Sequence, residues 1–369
     1  MSEQRVALVA PYALSTFGGV QEQVLAMARE LERRGTRVLV ICPNEADSTH
    51  WDLEGEVRTF GRLVSIPANG SKAPLTLSLK ASRAARATVQ AFAPDVVHFH
   101  EPFAPLVGWA LLRAHDIAAL ATFHRSGSGP AFTLTKPLLT SLARGIDVAT
   151  AVSEASAETI RNATGIVADV LFNGFETERF VASPRVREGE VVVLCIGRLE
   201  ARKGTAFAIE AVRSHNASGL EPWRLVIIGE GPERARLEAL AAHDDMIIFA
   251  GALDDEHKRR WLRRANVLVA PATRGESFGL ILLEAMASEV TVVASDITGY
   301  REAAGAHAVL FEAANTTRLE QAIRSALANE TPESIARARG YAEGWSMRRL
   351  VDEYEPRYEQ ARRRFNETR

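Results

Sequence analysis

Two glutamates eight residues apart carry the strongest chemical signal of the chain, in Pro271-Ala-Thr-Arg-Gly-Glu-Ser-Phe-Gly-Leu-Ile-Leu-Leu-Glu-Ala-Met286. Glu276 stands in a loop, and Glu284 in the helix that the apolar run Leu280-Ile281-Leu282-Leu283 predicts. An acid buried in such a helix needs a partner or a ligand. At ~1.5 Å per residue the two carboxylates lie on the order of 12 Å apart along the chain. The helix-start amides between them favour an anion. Acid, anion site and acid suit a ligand with hydroxyls at both ends and phosphates between, the layout of a nucleotide sugar. An ordinary helix start with Glu284 paired to an arginine uses the same letters, and the spacing alone does not separate the two.

Other residues bear on the choice. Gly18-Gly19 lies where a strand meets a helix, so the backbone can approach a phosphate, although a plain tight turn reads the same way. In Gly197-Arg198-Leu-Glu-Ala-Arg-Lys203-Gly204, cations leave the carboxyl end of a strand, where they can neutralise a diphosphate or simply be solvated. No Gly-x-x-x-x-Gly-Lys-Ser/Thr loop occurs. Gly229-Glu-Gly-Pro232 fits a nucleotide loop and a helix with proline at its first position equally well. His124 closes the strand Ala121-Thr-Phe-His. His98 and His100 alternate onto one strand face beside Glu101; with no further clustered ligand, packing and hydrogen bonding are expected there and no metal. Lys80, Arg83 and Arg86, at three-residue spacing in a helical pattern between Leu75 and Phe92, form either a solvated face or a docking face for an anionic membrane.

The elements that must position these residues alternate as parallel α/β folds do. Short apolar runs (Val6-Ala10, Arg37-Cys42, Asp95-Phe99, Ala118-Phe123, Val148-Val152, Val170-Phe172) are separated by helical patterns, and Asn173-Gly174 marks a turn. A second set begins at Val191-Ile196 and continues through Leu225-Ile228, Met246-Phe249, Val267-Ala270, Thr291-Ala294 and Ala308-Leu310. Two Rossmann-like halves facing across a cleft are expected. The stretch Trp345-Arg369 reads as a terminal helix with a charged face. The 369 residues, 47% hydrophobic and 24% charged with a net charge of -2, fit two globular domains and argue against a general nucleic-acid binder. Cys42 and Cys195 sit in apolar strands and read as buried thiols of a reducing compartment. No apolar run reaches the ~20 residues that span a bilayer. A cytoplasmic protein, at most associated with a membrane surface, is expected.

Taken in order, Pro11-Tyr12, Gly18-Gly-Val-Gln21, Pro67-Ala-Asn-Gly-Ser71, His98-Phe-His-Glu-Pro102, Ala121-Thr-Phe-His124, Asn173-Gly174, Gly197-Arg198, Arg202-Lys-Gly204, Gly275-Glu-Ser-Phe-Gly279 and Glu284-Ala-Met286 resemble the retaining glycosyltransferases of family four. The resemblance covers nearly the whole chain. It implies an α/β protein of the GT-B fold: an acceptor domain over 1–174, a nucleotide-sugar domain over 175–345, and a terminal helix, 346–369, packing back on the first domain. By the same resemblance, Gly18 and Gly19 receive the donor diphosphate, which Arg198 and Lys203 neutralise. Glu276, with the amides of Phe278 and Gly279, holds the sugar; Glu284 holds the ribose; Lys258 lies near the base; and His124 contacts the transferred sugar. Tyr12, Asn69 and Ser71 match the acceptor side. After His124 the chain reads Arg-Ser-Gly-Ser-Gly-Pro, where the family pattern has more threonine and a lysine; either Arg125 replaces that cation or the acceptor differs. The implied reaction moves mannose from GDP-mannose to phosphatidyl-myo-inositol or a similar lipid, at the inner face of the plasma membrane. It needs no metal or other cofactor, no nucleic acid and no obligate protein partner. Rival expectations are a related enzyme with another donor or a soluble acceptor, and a non-catalytic nucleotide-sugar binding protein.

Overall fold

Runs of β-branched and aliphatic residues too short for helices make the inner strands of each sheet, which are buried along nearly their whole length, and the amphipathic stretches between them cover the sheets. The structure, a computed structural model, describes residues 3–14, 19–43, 53–61, 63–68, 71–76, 78–104, 107–125, 130–181, 189–276 and 278–368. The chain begins with β1 (Arg5–Val9), α1 (Gly19–Arg33), β2 (Arg37–Pro43), β3 (Glu56–Phe60), β4 (Leu63–Ala68), β5 (Ser71–Thr76) and α2 (Leu79–Phe92). It continues through β6 (Val96–His100), α3 (Val107–Ala114), β7 (Ala118–Phe123), α4 (Pro130–Ala143), β8 (Val148–Ala151), α5 (Glu154–Thr164) and β9 (Asp169–Val170). After α6 (Glu178–Val181) come β10 (Val191–Ile196), α7 (Thr205–Asn216), β11 (Trp223–Ile228), α8 (Arg234–Ala241), β12 (Ile247–Gly251), α9 (Asp255–Arg264) and β13 (Val267–Ala270). The last elements are α10 (Leu280–Ala287), β14 (Thr291–Ser295), α11 (Thr298–Ala304), β15 (Val309–Phe311), α12 (Thr316–Ala328), α13 (Pro332–Glu343) and α14 (Met347–Glu367).

These elements form two compact units, residues 1–175 with 347–369, and residues 176–346. In the first, the sheet order is β3-β2-β1-β6-β7-β8-β9, with parallel pairing throughout. In the second it is β12-β11-β10-β13-β14-β15, again parallel. Each order reverses at one place, between β1 and β6 and between β10 and β13. At such a point the crossovers leave in opposite directions, so a crevice opens beyond the carboxyl ends of the two strands.

The start of α2 differs from the sequence-based expectation. Leu75 lies in the antiparallel hairpin β4-β5, opposite Val64, and α2 starts only at Leu79 after Ser78 caps it. The strand-forming run there outweighs helical spacing. The terminal helix has a buried face besides its charged one and belongs to the first unit. One face of α14 buries Met347, Leu350, Val351, Tyr354, Tyr358 and Ala361 with Val24, Met27, Leu31 and Leu120 in the core of the first unit. Each large apolar side chain on that face contributes roughly 1.5–3 kcal/mol by burial. Arg34 fastens the outer edge through Asp352 and Glu355, at 2.8 and 3.1 Å.

Candidate functional site

In the first unit the residues beyond β1, β6 and β7 converge. Glu101 follows β6 in a left-handed conformation (φ +49°), and its carboxylate accepts the backbone N–H groups of His124 and, at 2.5 Å, of Arg125. This clamp holds the chain just after β7. Burial pushes the Glu101 carboxyl up, against the pull of those N–H groups and of Arg125. Tyr12, just beyond β1, lies within electrostatic reach of both Glu101 and Arg125; burial and then Glu101 push its phenol well up. His124 is buried, and loss of solvation lowers its ring to about 3. It therefore acts as a neutral hydrogen-bonding group, not as a cation, at neutral pH.

Beneath His124 the two alternating histidines of β6 are placed as packing and hydrogen bonding require. His98 contacts Tyr358 through Nδ1 (3.0 Å) and Thr122 Oγ1 through Nε2 (2.7 Å). His100 stacks on His98 with ring centroids 4.4 Å apart. Among the described residues no group of three His, Cys, Asp or Glu side chains is arranged to hold a metal. Gly19 opens α1, and no described atom lies within 4 Å of where a Cβ would stand there, so crowding by described atoms does not explain the glycine. Gly18 and Asn69 lie outside the described residues, as do 126–129 of the loop after Arg125. Ser71 opens β5. Lys80, Arg83 and Arg86 are exposed on α2, and Arg86 pairs with Asp116 at 3.0 Å.

In the second unit the loops after β10 and β13 build a charged cluster. Arg198 follows β10, and a single 3-10 turn, Ala201–Lys203, presents the other two cations. Glu200, 5% exposed, binds Arg198 at 2.8 Å and Arg202 at 2.9 Å. Arg202 and Lys203 in turn meet the same oxygen of Glu276, at 2.6 and 2.7 Å. Three cations against two carboxylates leave one net positive charge in the cluster. Gly229-Glu-Gly-Pro232 supports this loop. At Gly229 (φ +138°) a Cβ would stand 1.9 Å from the carbonyl oxygen of Gly197, so that position must be glycine for the two loops to touch. The helix expected to start at Pro232 starts at Arg234, because the carbonyl of Glu230 and the N–H of Glu233 first bind back to Leu199.

Phe278 is buried against Trp345, with ring centroids 5.3 Å apart. Gly279 (φ +97°) then turns the chain into α10 and, as a glycine, supplies no side-chain cap to its amino end. Leu282, Leu283, Ala285 and Met286 bury α10, and Glu284 among them finds a partner in Lys258 of α9 at 3.1 Å. That partner is a lysine, where the plain alternative had an arginine. The contact is an ion pair without hydrogen-bond alignment, since Glu284 Oε2 has no hydrogen bond among the described residues. Lys258 also meets Asp255 at 3.2 Å and lies over the Phe180 ring. Burial alone would raise the Asp255 carboxyl, but Lys258 and Arg179 hold it below its usual range.

Sequence reasoning gave no role to Glu200, weighed Glu101 only beside the β6 histidines, and counted Arg202 only among the cations after β10. The letters carried a faint signal for Glu200, which sits two residues from each arginine, but none for the Glu101 clamp, which depends on β6 and β7 being neighbours.

Two family models match the chain, Glycosyltransferase Family 4 over residues 17–179 and Glycosyl transferases group 1 over residues 176–345. The phosphatidyl-myo-inositol mannosyltransferase of Mycobacterium tuberculosis is 34% identical over 307 residues, covering 80% of this chain and 79% of that one. That of Propionibacterium freudenreichii is 30% identical over 359 residues, 93% of this chain and 92% of its own. Sucrose-phosphate synthase from Thermosynechococcus elongatus superimposes with a TM-score of 0.77 over 97% of this chain and 99% of its own, at 20% identity. With two parallel α/β units and these relatives, the chain belongs to the family 4 glycosyltransferases and has the GT-B fold.

Proposed function

We propose that the protein is a retaining mannosyltransferase that moves mannose from GDP-mannose to phosphatidyl-myo-inositol or a closely similar lipid. The observation that carries this reading is the meeting of Glu276 with Arg202 and Lys203 close in sequence to the start of α10, which Gly279 provides with no side-chain cap. A carboxylate suits sugar hydroxyls, while adjacent cations and helix-start amides suit a diphosphate. The donor and acceptor follow from relatives whose names state mannosyl transfer to phosphatidyl-myo-inositol.

In the proposed step, Arg198, Lys203 and the α10 amides stabilise charge on the departing diphosphate. The acceptor hydroxyl attacks the anomeric carbon on the face the phosphate leaves. One C–O bond forms as the bond to phosphate breaks, and the hydroxyl proton passes to a phosphate oxygen of GDP. No protein nucleophile and no metal take part. Glu276 fixes the sugar, Glu284 the ribose, and Lys258 lies near the base. The family resemblance assigns His124 to the transferred sugar, and Tyr12, Asn69, Ser71 and Arg125 to the acceptor. Exposed Lys80 and Arg83 supply attraction to an anionic membrane at the inner face of the plasma membrane.

The test is transfer of label from GDP-mannose to phosphatidylinositol vesicles, read in the organic phase. Lipid label that disappears in Glu276→Ala and Lys203→Ala supports the proposal. Donor hydrolysis without lipid label keeps a glycosyltransferase and overturns the lipid acceptor. Neither product overturns GDP-mannose as donor.

A further inference from the structure

His124 is one end of a buried chain of polar rings. Its Nε2 lies 3.0 Å from His100 Nδ1, and the two rings stack with centroids 5.2 Å apart. His100 stacks in turn on His98, whose two ring nitrogens are both engaged, by Tyr358 and by Thr122. Thr122 Oγ1 also meets Thr150 Oγ1 at 2.8 Å and the Tyr354 hydroxyl at 2.9 Å. Every member is less than 8% exposed. His98 is thereby fixed by two strands and by the tyrosines of α14, and it fixes the plane of His100. Burial lowers all three histidine rings, so each is neutral and carries one proton.

Proton counting then selects a tautomer. Two neutral rings meeting nitrogen to nitrogen share a single proton. If His124 donates from Nε2, His100 must carry its own proton on Nε2. That atom is buried and has no hydrogen-bond partner among the described residues. A small cavity beside His100 and Glu101 is walled chiefly by Val9, Ala10, Cys42 and Phe99, and the Glu101 carboxylate, which accepts two backbone N–H groups at Oε1, makes no hydrogen bond to His100 Nε2. An orphaned buried N–H is among the rarest features of folded proteins, whereas a bare acceptor is tolerated somewhat more often. The proton therefore sits on His100 Nδ1 and is donated to His124 Nε2.

We propose that His100 is the positioning residue of His124, holding it in the tautomer whose own proton is on Nδ1, as a donor for a hydroxyl of the transferred sugar. The tautomer is a property of the first unit alone; the sugar contact rests on the function proposed above. His100 touches no substrate, and its effect passes through His124.

The experiment is ring-nitrogen NMR on the full chain labelled with 15N-histidine, with His124→Gln used to assign the signal. Protonated Nδ1 and bare Nε2 in His124 are expected, and the reverse pattern overturns the proposal. Kinetics provide the second arm. His100→Leu removes the donor, and kcat for mannosyl transfer falls about tenfold, the loss of one hydrogen bond. The donor KM stays within about twofold, and His100→Asn, which keeps an amide N–H at that place, recovers most of the rate. Unchanged kcat in His100→Leu overturns the positioning role. Should that variant not fold, the wild-type NMR pattern still decides. If the pattern is as stated and His124→Ala turns over normally, the sugar contact is lost and the tautomer stands.

Discussion

The ion pair between Lys258 and Glu284 offers a prediction that separates folding from ligand binding. The two side chains are 4% and 6% exposed and 3.1 Å apart. Lys258→Met leaves a carboxylate buried in the apolar surroundings of α10, which costs about 3–5 kcal/mol. Asp255 is not orphaned by the change, because Arg179 still meets it at 2.8 Å. At about 2–4 °C per kcal/mol for a domain of this size, the loss amounts to roughly 10 °C in melting temperature. Removing both charges together, in Lys258→Met with Glu284→Met, restores stability to within about 1–2 kcal/mol of wild type, since well-packed apolar residues replace a buried pair at little cost. The assay is thermal unfolding of the four proteins of the cycle by circular dichroism. Additive losses in the double variant would falsify the reasoning, because they mean that the pair is not coupled. The same double variant tests ligand binding. If Glu284 holds a ribose, GDP titrated by calorimetry binds it more weakly than wild type even though it melts normally.

Gly279→Ala forces a left-handed alanine, about 1–2 kcal/mol, and places a Cβ 2.6 Å from the Tyr300 ring; a urea midpoint within error of wild type refutes this account of the turn into α10. His98 and His124 are both lowered from 6.5 to about 3, so the unfolded chain binds more protons than the folded one between those values and stability falls as the pH drops below 6.5. Between pH 7 and 5.5 the loss is on the order of 2–3 kcal/mol for the two rings, and His124→Asn shows a shallower slope in urea titrations across that window. Neutralising Lys80 and Arg83 to Gln removes about 1 kcal/mol each of attraction to an anionic surface. Roughly 30-fold weaker sedimentation with phosphatidylinositol-rich vesicles is expected, and unchanged sedimentation removes α2 from the docking surface.

Alternation of apolar strands with amphipathic helices reports the class of this fold directly, because a parallel sheet covered on both faces demands it. Val191-Ile196 and Val267-Ala270 are strands over the same residues that the letters indicate. Glu276 in a loop and Glu284 buried in the helix after it were likewise visible, since both follow from the local run of apolar residues. Other features depend on which strands are neighbours, a matter of long-range packing. Glu101 clamps the segment after β7 only because β6 and β7 pair. Glu200 joins Arg198 to Arg202 only because a 3-10 turn folds the loop back, and Arg202 reaches Glu276 only because β10 lies beside β13. His98 and His100 are ordinary in the sequence. It is α14, returning some 250 residues later with Tyr354 and Tyr358, that makes them a fixed stack beneath His124. Local propensity and periodicity write the elements and their glycine turns. The partners of buried charges and rings are settled by tertiary packing, because desolvation penalises each group until a partner distant in sequence arrives.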